Sequence, residues 1–185
     1  MGASLNGKKI IVGITGSIAA YKTCELIRKF VSSGNEVVTM VTRHALEFIT
    51  PLTLKTLSGH DVMKEIYDEH MFSGVHHIDL AHWADLVLIC PATANIIGKA
   101  SCAIADDLVT TVILSTRAPV IFAPAMNNQM YENKIVQSNL QKIKDAGHYI
   151  IEPDSGFLAC GYEGIGRLAD SDRIITMVAD IANRH

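Results

Sequence analysis

The sequence predicts an α/β fold in which a parallel sheet is covered by helices on both faces. Three observations carry that expectation. Apolar runs such as Lys9-Ile10-Ile11-Val12-Gly13-Ile14 and Asp85-Leu86-Val87-Leu88-Ile89-Cys90 are nearly continuous, as in strands buried on both sides. The stretches between them place apolar residues at helical spacing. Strand-like and helix-like stretches alternate along the chain, the pattern of βαβ units.

The elements follow in order. Residues 9–14 form a first strand bounded by Gly and Thr. Residues 17–31 form a helix carrying Ala20, Leu26, Ile27 and Phe30 on one face and ending at Ser33-Gly34. Residues 36–42 are a second strand. Residues 48–57 read as a short helix broken by Pro51, and 62–67 as a minor strand. Residues 77–83 read as a short helix, and 85–90 as a strand ended by Pro91. Residues 94–115 are helical, in one piece or two. A strand at 119–123, a helix at 131–146, a strand at 149–152 and a closing helix at 171–184 complete the pattern. Residues 153–170 read as a long irregular stretch, and loops of that length are usually functional or disordered.

The 185 residues suit one domain, 1–185, with no linker or repeat. Hydrophobic residues make up 49% and charged residues 19%, an apolar balance that points to surface buried by self-association. No apolar run reaches the ~18 residues of a membrane span, and residues 1–9 are polar without a signal-peptide pattern. A net charge of −3 with no basic stripe argues against nucleic acid as a partner. Cys24, Cys90, Cys102 and Cys160 have neither disulfide-scaffold nor zinc spacing. The first three read as reduced and mostly buried, in a cytoplasmic protein. No metal site is expected.

Several segments carry candidate chemistry. Gly13-Ile14-Thr15-Gly16-Ser17-Ile18-Ala19-Ala20 joins the first strand to the first helix. It lacks the full G-x-G-x-x-G fingerprint, which leaves two readings: a turn capped by Ser17, or a mononucleotide phosphate site at a helix amino terminus. Thr42-Arg43-His44 would lie beside it. Pro91-Ala92-Thr93-Ala94-Asn95 and Asp106-Asp107 sit at the same predicted strand-end edge, where Thr93 and Asn95 either hold a ligand or cap the next helix. Pro124-Ala125-Met126-Asn127-Asn128-Gln129-Met130 follows another strand and offers the Asn127 amide at that edge. His77 is an acid–base candidate because imidazole titrates near neutral pH. Ala159-Cys160-Gly161-Tyr162-Glu163-Gly164-Ile165-Gly166-Arg167 is either a surface loop or a mobile flap. An exposed thiol weighs against the plain loop.

Taken together, these segments resemble the homo-oligomeric flavin-containing cysteine decarboxylases over nearly the whole chain. The shared motifs are Gly16-Ser17-Ile18-Ala19-Ala20-Tyr21-Lys22, His77-Ile78-Asp79-Leu80, Trp83-Ala84-Asp85, Pro91-Ala92-Thr93-Ala94, the segment 124–130, and Ala159-Cys160-Gly161 with Gly164-Ile165-Gly166-Arg167. The resemblance implies a three-layer Rossmann-like (flavodoxin-like) sandwich with FMN as cofactor. It implies that Gly16, Ser17 and Ile18 hold the FMN phosphate end, with Thr42, Arg43 and His44 nearby. It places Pro91, Ala92, Thr93, Ala94 and Ala125 along the flavin and makes His77 the catalytic base. Asn127 would take the substrate carboxylate, with Ala159, Gly161, Met130 and Arg167 as further substrate contacts. Cys160 would be the proton donor on a flap at about 153–170.

The implied reaction is decarboxylation of 4′-phosphopantothenoylcysteine to 4′-phosphopantetheine in coenzyme A biosynthesis, through a thioaldehyde and an ene-thiol. The implied assembly is a homotrimer or a multiple of trimers, with FMN sites at subunit interfaces. Cys160 favours this branch over the peptidyl-cysteine decarboxylases, which stop at the ene-thiol. His77, Asn127 and Cys160 together distinguish the chain from non-catalytic flavin-binding regulatory subunits. A prenyl-FMN-type flavin transferase is not expected to carry the Asn127 segment and the cysteine flap together.

Overall fold

The computed structural model describes residues 5–65, 76–157, 161 and 163–185. Its centre is a parallel five-stranded sheet of β1 (Lys9–Ile14), β2 (Glu36–Val41), β3 (Leu86–Ala92), β4 (Val120–Pro124) and β5 (Tyr149–Ile150), in the order β2-β1-β3-β4-β5. This is the flavodoxin-like order, in which the winding reverses between β1 and β3. The helices are α1 (Ala20–Ser32), α2 (Pro51–Ser58), α3 (His76–Trp83), α4 (Ala94–Ser101), α5 (Leu108–Ser115), α6 (Asn128–Glu132), α7 (Lys134–Asp145) and α8 (Ser171–Ala182).

Successive strand residues point to opposite faces, so the continuous apolar runs feed two cores. On one face Ile10, Val12, Leu88 and Ile121 pack with Leu26, Ile27 and Phe30 of α1 and with Ile174 and Val178 of α8. On the other, Ile11, Val38, Val87, Ile89 and Phe122 meet Ile97 of α4, Val112 of α5 and Leu140 of α7. The three-layer sandwich expected from the sequence is the one observed.

Several boundaries differ from expectation, each for a local reason. Pro51 does not break a helix; it starts α2 at the first turn, after Thr50, whose hydroxyl caps it. Pro91 does not end its strand, since β3 runs on to Ala92. The Cys90–Pro91 bond is cis, and the β3–β4 register shifts between Ile89 and Ala92, so the missing N–H falls at an irregularity in the ladder. The helix expected over 131–146 is interrupted at Asn133, whose side chain caps α7 by accepting from Ile135 N at 2.9 Å. The helical stretch 94–115 is two helices. The expected strand at 62–67 reduces to one bridge, Met40 to Met63, with residues beyond 65 outside those described. Cys102 is exposed rather than buried, because it follows the last turn of α4.

The largest correction concerns residues 153–170. Within this stretch β6 (Asp154–Phe157) and β7 (Glu163–Arg167) pair as an antiparallel hairpin, residues 158–160 and 162 lying outside those described. This hairpin is docked on the end of β4. Met126 N donates to Gly166 O at 2.9 Å. Gly166 has φ +138°, and a Cβ there would stand 2.3 Å from Met126 O; one at Gly164 would stand 2.8 Å from Asn128 Cβ. The two glycines, two residues apart on one strand face, allow the backbones to meet.

Candidate active site

The carboxyl ends of β1, β3 and β4 converge around one buried hydroxyl. Thr15, 1% exposed, donates from Oγ1 to Pro91 O at 2.7 Å and accepts from Thr93 N at 3.1 Å. Ala125 N donates to Ala92 O at 3.1 Å, which ties the third strand end to the second. Above this clamp the turn after β1 passes close to the short 3-10 turn Arg43–Glu47. A Cβ at Gly16 would lie 2.6 Å from His44 Cβ, so only glycine permits that approach. Ser17 does not cap α1 directly. Its Oγ accepts from Ala19 N at 3.3 Å within the turn, and the cap position, Ala19, contributes no side-chain bond.

Over these strand ends lies a cavity of about 780 Å³ at the point where the winding reverses. It brings together Gly16, Ser17, Thr42, Arg43, His44, Thr93, Ala94, Ala125 and Met130 among the residues expected to form a site. Thr93 lines the cavity and caps α4 by accepting from Ile96 N at 3.4 Å. Pro91 and Ala92 do not line it. They are buried in β3, and their carbonyls hold Thr15 and Ala125 in place from below.

Sequence reasoning missed Thr15, whose signal is a hydroxyl just past the first strand. It also missed Lys99. Lys99 Nζ reaches Asp106 Oδ1 at 2.7 Å and Asp107 Oδ2 at 3.3 Å. The bond to Asp106 raises the Lys99 pKa, against the opposing effect of burial. Asp107 also closes a capping box with Thr110 at the start of α5, so this pair of carboxylates fixes one rim of the cavity.

A second cavity, of about 370 Å³, shares Ser17, Ala125 and Met126 in its lining with the first. It is lined by Ile18, Asn127 and Arg167 from the expected set, and also by Tyr21, Lys22 and Phe157. Asn127 is oriented by the start of α6, where its Oδ1 accepts from Gln129 N at 2.9 Å.

His77 lies in the first turn of α3, which runs back from the strand-end edge to the start of β3; at its far end Trp83 stacks 5.8 Å from Lys9 Nζ, at the start of β1. His77 lines neither cavity. Its Nδ1 is buried and has no hydrogen-bond partner among the described residues. Gly161 lines neither cavity, and Ala159 and Cys160 lie outside the described residues.

The donor set of the larger cavity suits a phosphorylated, flat ligand. Ser17, Thr42 and Thr93 bring hydroxyls and Arg43 a guanidinium to the cavity's lining, while Ala94, Ile96, Ala125 and Met126 supply apolar surface. The family model described as Flavoprotein matches residues 2–183. The chain belongs to the flavoprotein family.

This flavoprotein is 47% identical over 176 residues to the Coenzyme A biosynthesis bifunctional protein CoaBC of Haemophilus influenzae, a match covering 95% of this chain and 44% of that protein. It is 43% identical over 173 residues to the CoaBC protein of Bacillus subtilis, covering 94% and 43%. The chain thus spans less than half the length of these relatives. Among solved structures, a PPC decarboxylase variant complexed with pantothenoylaminoethenethiol superposes with a TM-score of 0.84 at 28% identity, covering 97% of this chain and 100% of that one. The FMN binding protein AtHal3 gives 0.83 at 29% identity, covering 97% and 99%. Among the described residues, no group of three or more His, Cys, Asp or Glu side chains is arranged for a metal ion, and no helix is long and apolar enough to cross a membrane.

Proposed function

We propose that this flavoprotein is an FMN-dependent phosphopantothenoylcysteine decarboxylase that makes 4′-phosphopantetheine for coenzyme A, acting in the cytoplasm as a homotrimer or a multiple of trimers. The observation that carries this reading is the pair of cavities sharing part of their lining. The larger has the donors for a flavin phosphate, and the smaller holds Asn127. The similarity to CoaBC proteins over 95% of the chain supports the same reaction.

Bound FMN would supply reversible two-electron chemistry, taking a hydride from the sulfur-bearing carbon of the substrate and later returning it, so that the cycle is redox-neutral. The chain's residues do the rest. Asn127 binds the substrate carboxylate by its amide, already oriented through the cap of α6. Once the neighbouring carbon is a thioaldehyde, the carboxylate is β to an electron sink and CO₂ departs, leaving an ene-thiol. His77 takes the proton lost in the oxidative step, and Cys160 returns one to carbon in the reductive step. His77 lines neither cavity of its own subunit, which favours service to the cavity of a neighbouring subunit in the trimer. The β6–β7 hairpin, held at its base by the Met126–Gly166 bond, carries the flap over the substrate.

The test is a visible spectrum of the purified protein and mass analysis of phosphopantothenoylcysteine incubated with it. Flavin bands with a product lighter by CO₂ are expected. A product that stops at the ene-thiol would favour peptide-type chemistry. A yellow protein that releases no CO₂ would make the chain a flavin-binding subunit without catalysis.

A further inference from the structure

The smaller cavity has a chemical polarity that the decarboxylation step does not use. Asn127 brings an amide to its lining, and Ile18, Phe157 and Leu168 bring apolar surface. Lys22 and Arg167 supply positive charge, and among the described residues neither is ion-paired. The next cation along the same helix, Lys29, is paired with both Glu25 and Asp172.

The two cations stand where the cavity opens into a further recess of about 400 Å³, which Tyr21, Lys22, Arg167 and Leu168 also line. Tyr21 and Lys22 come from the first turn of α1 and Arg167 from the end of β7, so two independent elements converge there. Asn127 lines the cavity but not the recess, whereas the two cations line both; Glu25 and Asp170 also line the recess.

We infer that Lys22 and Arg167 anchor the phosphomonoester of the substrate and let the protein tell a phosphorylated acylcysteine from its unphosphorylated form. The inference rests on the decarboxylase reading above and adds the residues that select its substrate. A phosphomonoester carries about −1.5 to −2 charge near pH 7. Arg supplies a planar fork for two of its oxygens and Lys a mobile point charge, a combination suited to the end of a flexible ligand. The apolar walls suit the branched hydrocarbon between the phosphate and the cysteine. Binding energy gathered at this remote end would help hold the carboxylate against Asn127.

The experiment uses the FMN-loaded full chain and compares kcat/KM for phosphopantothenoylcysteine and for pantothenoylcysteine. The ratio of the two measures phosphate recognition and cancels any general loss of activity. Lys22→Met is expected to lower the ratio about tenfold, the size of one charge-assisted hydrogen bond. Arg167→Met should lower it at least as much, and Lys22→Arg should keep most of it.

A titration without turnover serves as the second readout. The dissociation constant of 4′-phosphopantetheine, followed by flavin fluorescence, should rise about tenfold in Lys22→Met relative to that of pantetheine. A wild-type protein that prefers the phosphorylated substrate, with a ratio unmoved by either Met variant, would overturn the anchor and leave the decarboxylase reading intact. A wild-type ratio near one would do the same. A wild-type protein that decarboxylates neither compound would overturn the decarboxylase reading, and the anchor with it.

Discussion

Replacing Gly166 by alanine is expected to lift the β6–β7 hairpin off the end of β4. The added Cβ would sit 2.3 Å from Met126 O, a backbone atom that no side-chain rotation can move. Ordinary contact begins near 3.4 Å, so the two segments must part by about 1 Å. That displacement breaks the 2.9 Å bond from Met126 N to Gly166 O, at a net cost of about 0.5–1.5 kcal/mol. Holding a non-glycine residue at φ +138° costs about 1–3 kcal/mol more. The total is about 1.5–4.5 kcal/mol, borne by a surface hairpin rather than the core, so the lesion should appear there before the sheet unfolds.

Hydrogen exchange reads this directly. The Met126 amide should exchange at least about tenfold faster, since ~1.4 kcal/mol is a factor of ten. Amides of Ile11 and Val87 in the central strands should change much less. A Met126 amide exchanging at the wild-type rate, with an unchanged denaturation midpoint, would refute the docking described for this hairpin.

Thr15→Val keeps the shape at the strand-end clamp but leaves the Thr93 N–H and the Pro91 carbonyl without their side-chain partner. A loss of about 1–3 kcal/mol in urea denaturation is expected, with Thr15→Ser recovering most of it; a Val variant as stable as wild type would show that the clamp contributes nothing. Among Cys24, Cys90 and Cys102, a thiol reagent at pH 8 should label the exposed Cys102 first. Cys90, whose thiol burial pushes up to about 12, should stay unlabelled until the chain unfolds, as peptide mass mapping would read out.

Stability should also fall in acid in two stages. Burial holds the His148 imidazole below its ordinary value, so the unfolded chain takes up its proton first. Stability is therefore complete above about pH 6.5 and declines below it, by at most ~1.4 kcal/mol per pH unit. Burial pushes the Glu152 carboxyl up, but hydrogen bonds from Lys144 and Tyr131 outweigh it and hold the group below its usual value. Its contribution is present above about pH 4.3 and is lost below. Denaturation curves for His148→Gln should lack the first decline and keep the second.

The central sheet was legible because buried parallel strands need apolar side chains on both faces, and residues 9–14, 36–41 and 86–90 have them. The strand-end positions of Ser17, Thr93 and Asn127 followed from the same alternation of strand and helix. The hairpin was not legible. β7 carries two glycines in five residues, a composition that locally opposes a strand. They are there because Met126 and Asn128 approach from a segment about forty residues earlier, a tertiary cause that no local pattern records. Thr15 and Lys99 were hidden for the same reason. Thr15 finds its partners on another strand, and Lys99 finds its own across the connection from α4 to α5. Sequence spacing likewise could not say that His77 would be in neither cavity's lining, with its Nδ1 buried.

Ala125, 4% exposed, belongs to the lining of both cavities. A larger residue there would crowd both occupants at once, and no substitution at that position can reshape one chamber in isolation. Under the proposed function, cofactor retention and substrate choice would therefore be coupled through Ala125. An engineer seeking a new substrate would do better to work from the Phe157 side, where the smaller cavity alone is touched.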